Sequence, residues 1–490
     1  MKRRIAIIGG GLAGIAAAVR IAEAGERPIL IESRKRLGGR ATSLTDPRSG
    51  ATIDNCQHVL LGCCTNLIDL YDRLHVLDDI EWHRTLHWTA GGREAPIDTI
   101  RAGWLPAPLH LARSLRRMTI LSRDSKRAIS RAMLRMMRIG EHGRLAWRNR
   151  TFGEFLNDAD QPLEAVRRFW EPIVVSACNM SVDRVGAAFA LHVFQEGFLA
   201  NKWSYTMGLS RVPLARLYDS VASEIEGTGG ELHLGISAKA IAFDGRRITG
   251  VVTENGFVET SAAIAAVPPD RLEKLCSDVL IRYDIRLQSL GRLKFSPILG
   301  VHLWFDQHIM PDDLPHLVVV ERDIQWLFNK GVASDGANRI QHLHAVISAA
   351  DDWMALDEDE IVRRTMNDIH HVLPRSLGLE PIDARAIKEK RAAFAPLPGI
   401  DAFRPAAAAE YGAGTGVDNL FLAGDWTDTG WPATMEGAVR SGYTAAHAAL
   451  QRLNTSGAGE SSRVDPSSAA RGGLVEDVPT GLLARVLGLR

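Results

Sequence analysis

The chain has 490 residues, and its 58 Lys and Arg cancel its 58 Asp and Glu to a formal net charge of zero. Hydrophobic content of 46% and charged content of 24% fit a soluble globular chain and exclude wholesale disorder or a collagen-like repeat. The length allows two or three domains at roughly 100–200 residues each, and the zero balance argues against a nucleic-acid binder as a whole.

The N-terminus reads first as Met1-Lys2-Arg3-Arg4 before an Ala-rich stretch, a pattern shared with signal peptides. The glycines argue for something else. Ile5 to Ile8 is a buried-strand pattern that runs into Gly9-Gly10-Gly11-Leu12-Ala13-Gly14 and a helix-forming stretch from Ile15. A second strand, Pro28 to Ile31, ends at Glu32. This order of strand, GxGxxG, helix, strand and acid is the Rossmann-type dinucleotide fingerprint. Gly9 permits the turn, Gly11 lets a pyrophosphate approach, and Gly14 lets helix and strand pack. The helix opening at Leu12 and Ala13 offers free N–H groups to phosphate. Glu32 suits a ribose hydroxyl pair and repels a 2′-phosphate, so NADP is disfavoured. Shortly after the acid comes Gly38-Gly39-Arg40, which a simple NAD dehydrogenase does not need. Its backbone and guanidinium suit the same pyrophosphate.

Further along lies Asp54-Asn55-Cys56-Gln57-His58. Cys56 joins Cys63, Cys64, Cys178 and Cys276 as five cysteines without a CxxC pair. They read as buried free thiols in a reducing compartment, with no metal site. The stretch 101–150 is the exception to overall neutrality, with thirteen Lys and Arg against Asp124 and Glu141, a net of +11. Leu111, Leu115, Met118, Ile129, Met133 and Met136 recur there at helical spacing, between Trp104 and Trp147. A basic amphipathic helix of this kind suits an anionic lipid surface, and a solvated basic helix packed on the domain is the competing reading. No nucleic-acid module accompanies the charge. Trp170, Asn179, Trp203 and Tyr205 follow. Alternation at 232–252 and an apolar run at 262–267 suggest a β-rich return to the first domain, with Ala238 placed for adenine contact. Asn419 to Ala423 reads as a buried strand that delivers Gly424-Asp425, then Trp431, then Thr434-Met435 at the start of a helix. Residues 454–490 read as a flexible tail with a short amphipathic helix near its end. No apolar run reaches the ~18 residues of a membrane span.

The GxGxxG, the acid, the GGR element and the late AGD…MEGAxxSG stretch together resemble the FAD-dependent amine oxidase and carotenoid desaturase superfamily. The stretches 53–63, 169–179, 198–214 and 430–438 resemble more closely its squalene-associated desaturases, the hydroxysqualene dehydroxylases. Cys56 departs from that pattern, where Gly is expected. The resemblance implies an amine oxidase-like α/β fold. Its discontinuous FAD domain would span 1–100, 210–285 and 405–453, with an α+β substrate domain over 101–209 and 286–404. It implies FAD, with Asp425 at the ribityl chain or pyrophosphate and Met435 at the pyrimidine edge. No cysteine follows Cys276, so noncovalent binding is expected. It further implies reductive removal of a hydroxyl from a hydrophobic C30 isoprenoid, giving squalene for hopanoid or sterol synthesis. The enzyme would be cytoplasmic and peripheral to the inner membrane, with an unidentified electron donor. A leaving hydroxide needs a proton donor. His58 is the first choice, with Asp54 and Gln57 beside it, and a histidine that only holds the loop is the competing reading. Trp170, Trp203, Tyr205 and Trp431 are cage candidates and Asn179 a polar contact, against the alternative that they are core or turn residues. Oxidative desaturation of an isoprenoid and amine oxidation use the same frame.

Overall fold

The computed structural model describes residues 2–92, 94, 96–335, 338–410, 416–455 and 473–489. Three separated stretches of chain build one parallel sheet. Its order is Glu231–Leu234, Arg27–Glu32, Arg4–Ile8, Ala262–Ala265, Leu420–Leu422. Every neighbouring pair is parallel. The central strand reads as a continuous apolar run because both of its faces are covered: Ile5, Ala6 and Ile7 are fully buried. The helices Leu12–Glu23 and Met435–Thr455 pack together on one side. The three-stranded antiparallel sheet Ala238–Phe243, Ile248–Thr253 and Gly256–Glu259 is the expected β-rich return, with Gly245 in a left-handed turn.

A second sheet of seven strands has the order Asp383–Phe394, Phe295–Phe305, Asn338–Ser348, Trp326–Asp335, His316–Val319, Thr85–Thr89, Asp98–Arg101. Its last two strands begin before residue 101, so this sheet reaches into the stretch that sequence reading assigns to the FAD domain. Strand alternation gives the sheet two different faces. Leu299, Val301, Leu303, Leu343, Ala345 and Ile347 form one, and they pack on the helix Glu358–Val372 through Ile361, Met366 and Ile369. The registers Gly300↔Val346, His302↔His344 and Phe328↔His344 put those residues together on the other face. There Phe328 and Val346 meet Cys56.

The basic segment forms the helices Ala112–Arg117 and Arg123–Gly143. The longer helix starts at a capping Ser122, whose Oγ accepts from the Ser125 N–H at 3.2 Å. Ala128, Ile129, Ala132, Met136 and Met137 are its buried stripe, as the helical spacing suggests. It breaks at Gly140, where φ is +63°. Behind it, Phe152, Trp170 and Phe194 form an aromatic core.

The chain end departs from the expected tail. The helix from Met435 runs to Thr455, and 456–472 lie outside the described residues. Residues 473–489 are docked, not loose. Val475 N–H donates to Asn66 Oδ1 at 2.9 Å, Asp477 pairs with Arg440, and Gly481 N–H donates to the Ala200 carbonyl at 2.8 Å. The short helix Leu482–Val486 follows, and Ala484 and Leu489 are buried. Such backbone and side-chain anchors hold a terminus that composition alone marks as mobile.

Candidate functional site

The GxGxxG turn sits between the strands Arg4–Ile8 and Arg27–Glu32, at the carboxyl end of the parallel sheet where ligands of such sheets bind. Gly9 holds φ +108°, which a side chain rarely adopts. A Cβ on Gly14 would stand 1.8 Å from the Gly9 carbonyl oxygen, so only glycine fits there. Gly11 is the N-cap of the helix, no side chain caps that end, and its first turn holds no acid. The N–H groups of Leu12, Ala13 and Gly14 are therefore the donors a pyrophosphate would take. Glu32 is buried, and its two oxygens accept from Gly10 N–H at 2.7 Å and Arg34 N–H at 2.8 Å.

The two ends of the chain meet here. Gly38 N–H donates to the Gly10 carbonyl at 2.8 Å, which lays the GGR loop against the GxGxxG turn. Arg40 then reaches Asp425, 385 residues away, with Nη2 to Oδ1 at 2.5 Å. Gly424 N–H donates to Ser441 Oγ at 2.7 Å, and Thr434 Oγ1 accepts from Gly437 N–H at 3.1 Å as the helix from Met435 begins. The Arg404 guanidinium gathers the carbonyls of Asp425, Thr427 and Trp431 and so fixes this loop. The uncapped helix end, the glycine cradle and the ribose-type acid fit a dinucleotide with a pyrophosphate. Ala238 is half-buried and starts the strand just after Ile236, whose N–H donates to the Glu32 carbonyl at 3.0 Å.

The stretch 54–58 lies between this site and the mixed face of the seven-stranded sheet. Asp54 Oδ1 accepts from Ser43 Oγ at 2.8 Å and Leu214 N–H at 3.0 Å, while Oδ2 faces Lys330 Nζ at 3.3 Å. Lys330 also donates to Gln57 Oε1 at 2.9 Å. His58 is half-buried, with Nδ1 3.0 Å from the Cys56 carbonyl. A carbonyl only accepts, so Nδ1 carries the proton and Nε2 of the neutral ring is an acceptor. Burial lowers the His58 pKa, the Cys56 carbonyl and Asp54 opposing it. Of the three candidates Asp54, Gln57 and His58, none is a cationic donor in that state, and Lys330 supplies the cation. Cys56 does not adopt positive φ, so the residue standing where Gly is expected carries no backbone strain there. Its buried thiol is pushed up to about 12, chiefly by desolvation.

Sequence reading missed Lys330 and three histidines. His302 Nε2 lies 3.0 Å from the Asp54 carbonyl, and its Nδ1 lies 2.9 Å from His342 Nε2. His344 stacks on His302 with centroids 3.8 Å apart, and neither of its buried ring nitrogens has a partner. Burial brings His302 down to about 4 and holds His344 well below the ordinary value. The signal was present: His342-Leu343-His344-Ala345-Val346 alternates polar and apolar within a strand, and Lys330 follows Trp326-Leu327-Phe328.

The five substrate candidates are not brought together. Trp170 is fully buried, and its Nε1–H donates to Gln161 Oε1 at 2.9 Å inside the helical core. Asn179 ends the helix Glu171–Cys178 in left-handed backbone, donating to the Ser296 carbonyl at 2.9 Å and accepting from Ala349 N–H at 2.6 Å. The Tyr205 hydroxyl is used by Ala102 N–H at 2.8 Å and the Arg84 carbonyl at 2.7 Å. Trp203 is half-buried against Trp82, and Trp431 packs edge-on to His192. The Trp170 indole N–H, the Asn179 amide and the Tyr205 hydroxyl are thus engaged in holding elements together. Among the described residues no group of His, Cys, Asp and Glu is arranged for a metal ion, and no helix is long and apolar enough to cross a membrane.

These features define a protein with a two-signature dinucleotide site facing a second sheet. The family described as flavin containing amine oxidoreductase matches residues 12–450, and the chain belongs to that family. It is an FAD-dependent oxidoreductase by family and fold. The 15-cis-phytoene desaturase of Synechococcus elongatus is 25% identical over 92% of this chain and 96% of its own length. The hydroxysqualene dehydroxylase of Sinorhizobium fredii is 26% identical over 93% of this chain and 100% of its own. Among solved structures, the cyclohexylamine oxidase from Brevibacterium oxydans superposes with a TM-score of 0.67 at 17% identity, covering 93% of this chain and 100% of the other. A putrescine oxidase triple mutant superposes with a TM-score of 0.68 at 16% identity, covering 93% and 99%.

Proposed function

We propose that this chain removes the hydroxyl of hydroxysqualene reductively to give squalene, with Lys330 as the group that protonates the leaving hydroxyl. The observation that carries this reading is the Lys330 ammonium between Asp54 and Gln57, beside a wall of Cys56, Phe328 and Val346. FAD would be held, without a covalent bond, by Gly9, Gly11 and the N–H groups of Leu12, Ala13 and Gly14. Glu32, Gly38, Gly39, Arg40, Ala238, Gly424, Asp425, Thr434 and Met435 would complete its site. In its reduced form FAD supplies a hydride for an allylic carbon. Asp54 Oδ2 and Gln57 Oε1 together fix the direction of the Lys330 ammonium. The hydroxyl accepts one proton from Nζ and departs as water, while hydride replaces it on carbon, so alcohol, hydride and proton give alkene and water. Neutral His58, with its acceptor Nε2, orients the hydroxyl. The aromatic faces of Trp326 and Phe328 suit the cationic character that develops on the allyl system.

The domain division given above, with the strands Thr85–Thr89 and Asp98–Arg101 moved to the seven-stranded sheet as part of the substrate layer, belongs to the same proposal. So does attachment of the basic segment 101–150 to the inner membrane, where a C30 isoprenoid dissolves.

The test is anaerobic incubation of reduced holoenzyme with hydroxysqualene and analysis of the product. Squalene is the expected result. The phytoene desaturase relatives favour a second reading, oxidative desaturation of an isoprenoid. A polyene formed by oxidised enzyme, with no squalene from reduced enzyme, selects it and refutes the first.

A further inference from the structure

The docked chain end changes the surface around the basic helices. Trp104 is 82% exposed, Leu482 and Val486 75% each, and Leu145 69%, the four highest values among the large apolar side chains described. Three separate segments carry them, and the fold brings those segments together. A Cβ on Gly481, which precedes the helix Leu482–Val486, would lie 3.6 Å from the Ala107 Cβ, three residues after Trp104. The Leu489 carbonyl accepts from Glu141 N–H at 3.2 Å, just before Leu145. Leu482 and Val486 stand four residues apart on one side of their helix, while Ala484 turns inward and is buried.

The surroundings are cationic. Arg113, Arg116, Arg117, Arg123, Arg131 and Arg138 make no ion pair among the described residues. Most acids of these segments are paired: Asp124 with Arg127, Glu141 with Arg144 and Asp477 with Arg440, which leaves Glu476 as the one acid of 473–489 with no ion pair among the described residues. Water is a poor partner for four protruding apolar groups, and a neutral apolar protein surface gives the arginines no counter-charge. A bilayer with anionic headgroups satisfies both, with apolar tips below the headgroups and guanidinium groups at their level.

We propose that Trp104, Leu145, Leu482 and Val486 form an insertion rim that seats this protein on anionic lipid, with the C-terminal helix as its central part. The inference rests on the lipid-surface reading of 101–150 and assigns the inserting groups to the chain end as well as the basic helices. It concerns binding only and involves no chemical step.

The test uses full-length holoprotein and sedimentation with vesicles of phosphatidylcholine alone or mixed with phosphatidylglycerol. The double variant Leu482→Asp/Val486→Asp should lose about tenfold or more of its partition onto the mixed vesicles. Flavin content and thermal midpoint should stay at wild-type values, because both side chains face outward. Trp104→Ser, far from that helix in sequence, should give a smaller loss in the same direction. Wild-type protein should bind phosphatidylcholine alone much more weakly. Unchanged partition of both variants overturns the rim, and equal wild-type binding to both vesicle types overturns the anionic partner. Turnover of hydroxysqualene in detergent tests the reaction separately: vesicle binding without squalene keeps the surface and removes the proposed activity.

Discussion

The parallel sheet and the seven-stranded sheet present chemistry in different ways. In the parallel sheet the functional groups are local: Gly9, Gly11, Gly14 and Glu32 lie within one strand–helix–strand unit. At the seven-stranded sheet the groups come from separate strands, one of them, Thr52–Asp54, outside the sheet, so Lys330, His302, His344 and Asp54 share no segment. The first sheet offers backbone N–H groups at a helix end, which a short motif can specify. The second offers side chains on one face of a strand, where neighbours are set by register.

The largest effect is expected at the parallel sheet. Gly14→Val places atoms inside contact distance of the Gly9 carbonyl and should cost about 3 kcal/mol or more. Purified variant should carry no flavin, and retention of a full complement would break the claim that the turn is sterically committed. On the other sheet, Lys330→Met should leave flavin content intact and slow product formation on the order of 100-fold, as loss of a general acid does. Lys330→Arg keeps a charge but barely releases protons, so it should not restore the rate. A rate within about twofold of wild type for Lys330→Met would remove the group from the reaction.

The contact between chain ends comes next. Arg40→Ala leaves Asp425 buried and unpaired, and because the Arg40 side chain is 31% exposed the cost should be about 2 kcal/mol. Denaturant unfolding of the apoprotein measures it, and Arg40→Ala/Asp425→Ala should recover part of the loss. An additive double variant would deny the coupling.

The smallest effect is a slope. His302 titrates near 4 in the folded chain against an ordinary 6.5, because burial disfavours its cation. Above 6.5 the ring is neutral folded or unfolded, and it contributes nothing to the pH dependence. Between 6.5 and about 4 only the unfolded chain takes the proton, so stability falls as pH falls, by about 1.4 kcal/mol per unit at most. His302→Gln should flatten the unfolding midpoint against pH in that window. An unchanged slope would show that His302 titrates normally.

The same contrast explains what could be read in advance. Gly9 to Glu32, Gly38 to Arg40 and Gly424 to Met435 are stretches whose spacing carries their geometry. The buried stripe of Arg123–Gly143 was equally legible from its period. For Trp170 and Tyr205 the sequence leaves a substrate cage and a core position both open, because it shows an aromatic but not its neighbours. Burial in the helical core and two backbone partners for the Tyr205 hydroxyl set their positions. Lys330 stood in view but had no meaning until its strand was paired. Residues 473–489 looked like a tail because their anchors, Asn66, Ala200 and Arg440, lie far away in sequence.

The dinucleotide turn, the acid that follows it, the late strand-to-helix signature and the basic segment are all written locally in the chain. Each depends on residues within a few turns of chain, where backbone geometry follows from side-chain type. Only the tertiary structure decided that Arg40 closes on Asp425, that Lys330 stands between Asp54 and Gln57, and that the last helix sits beside Trp104. Those contacts join segments hundreds of residues apart. Strand order, register and buried area fix them, and no local spacing encodes any of the three.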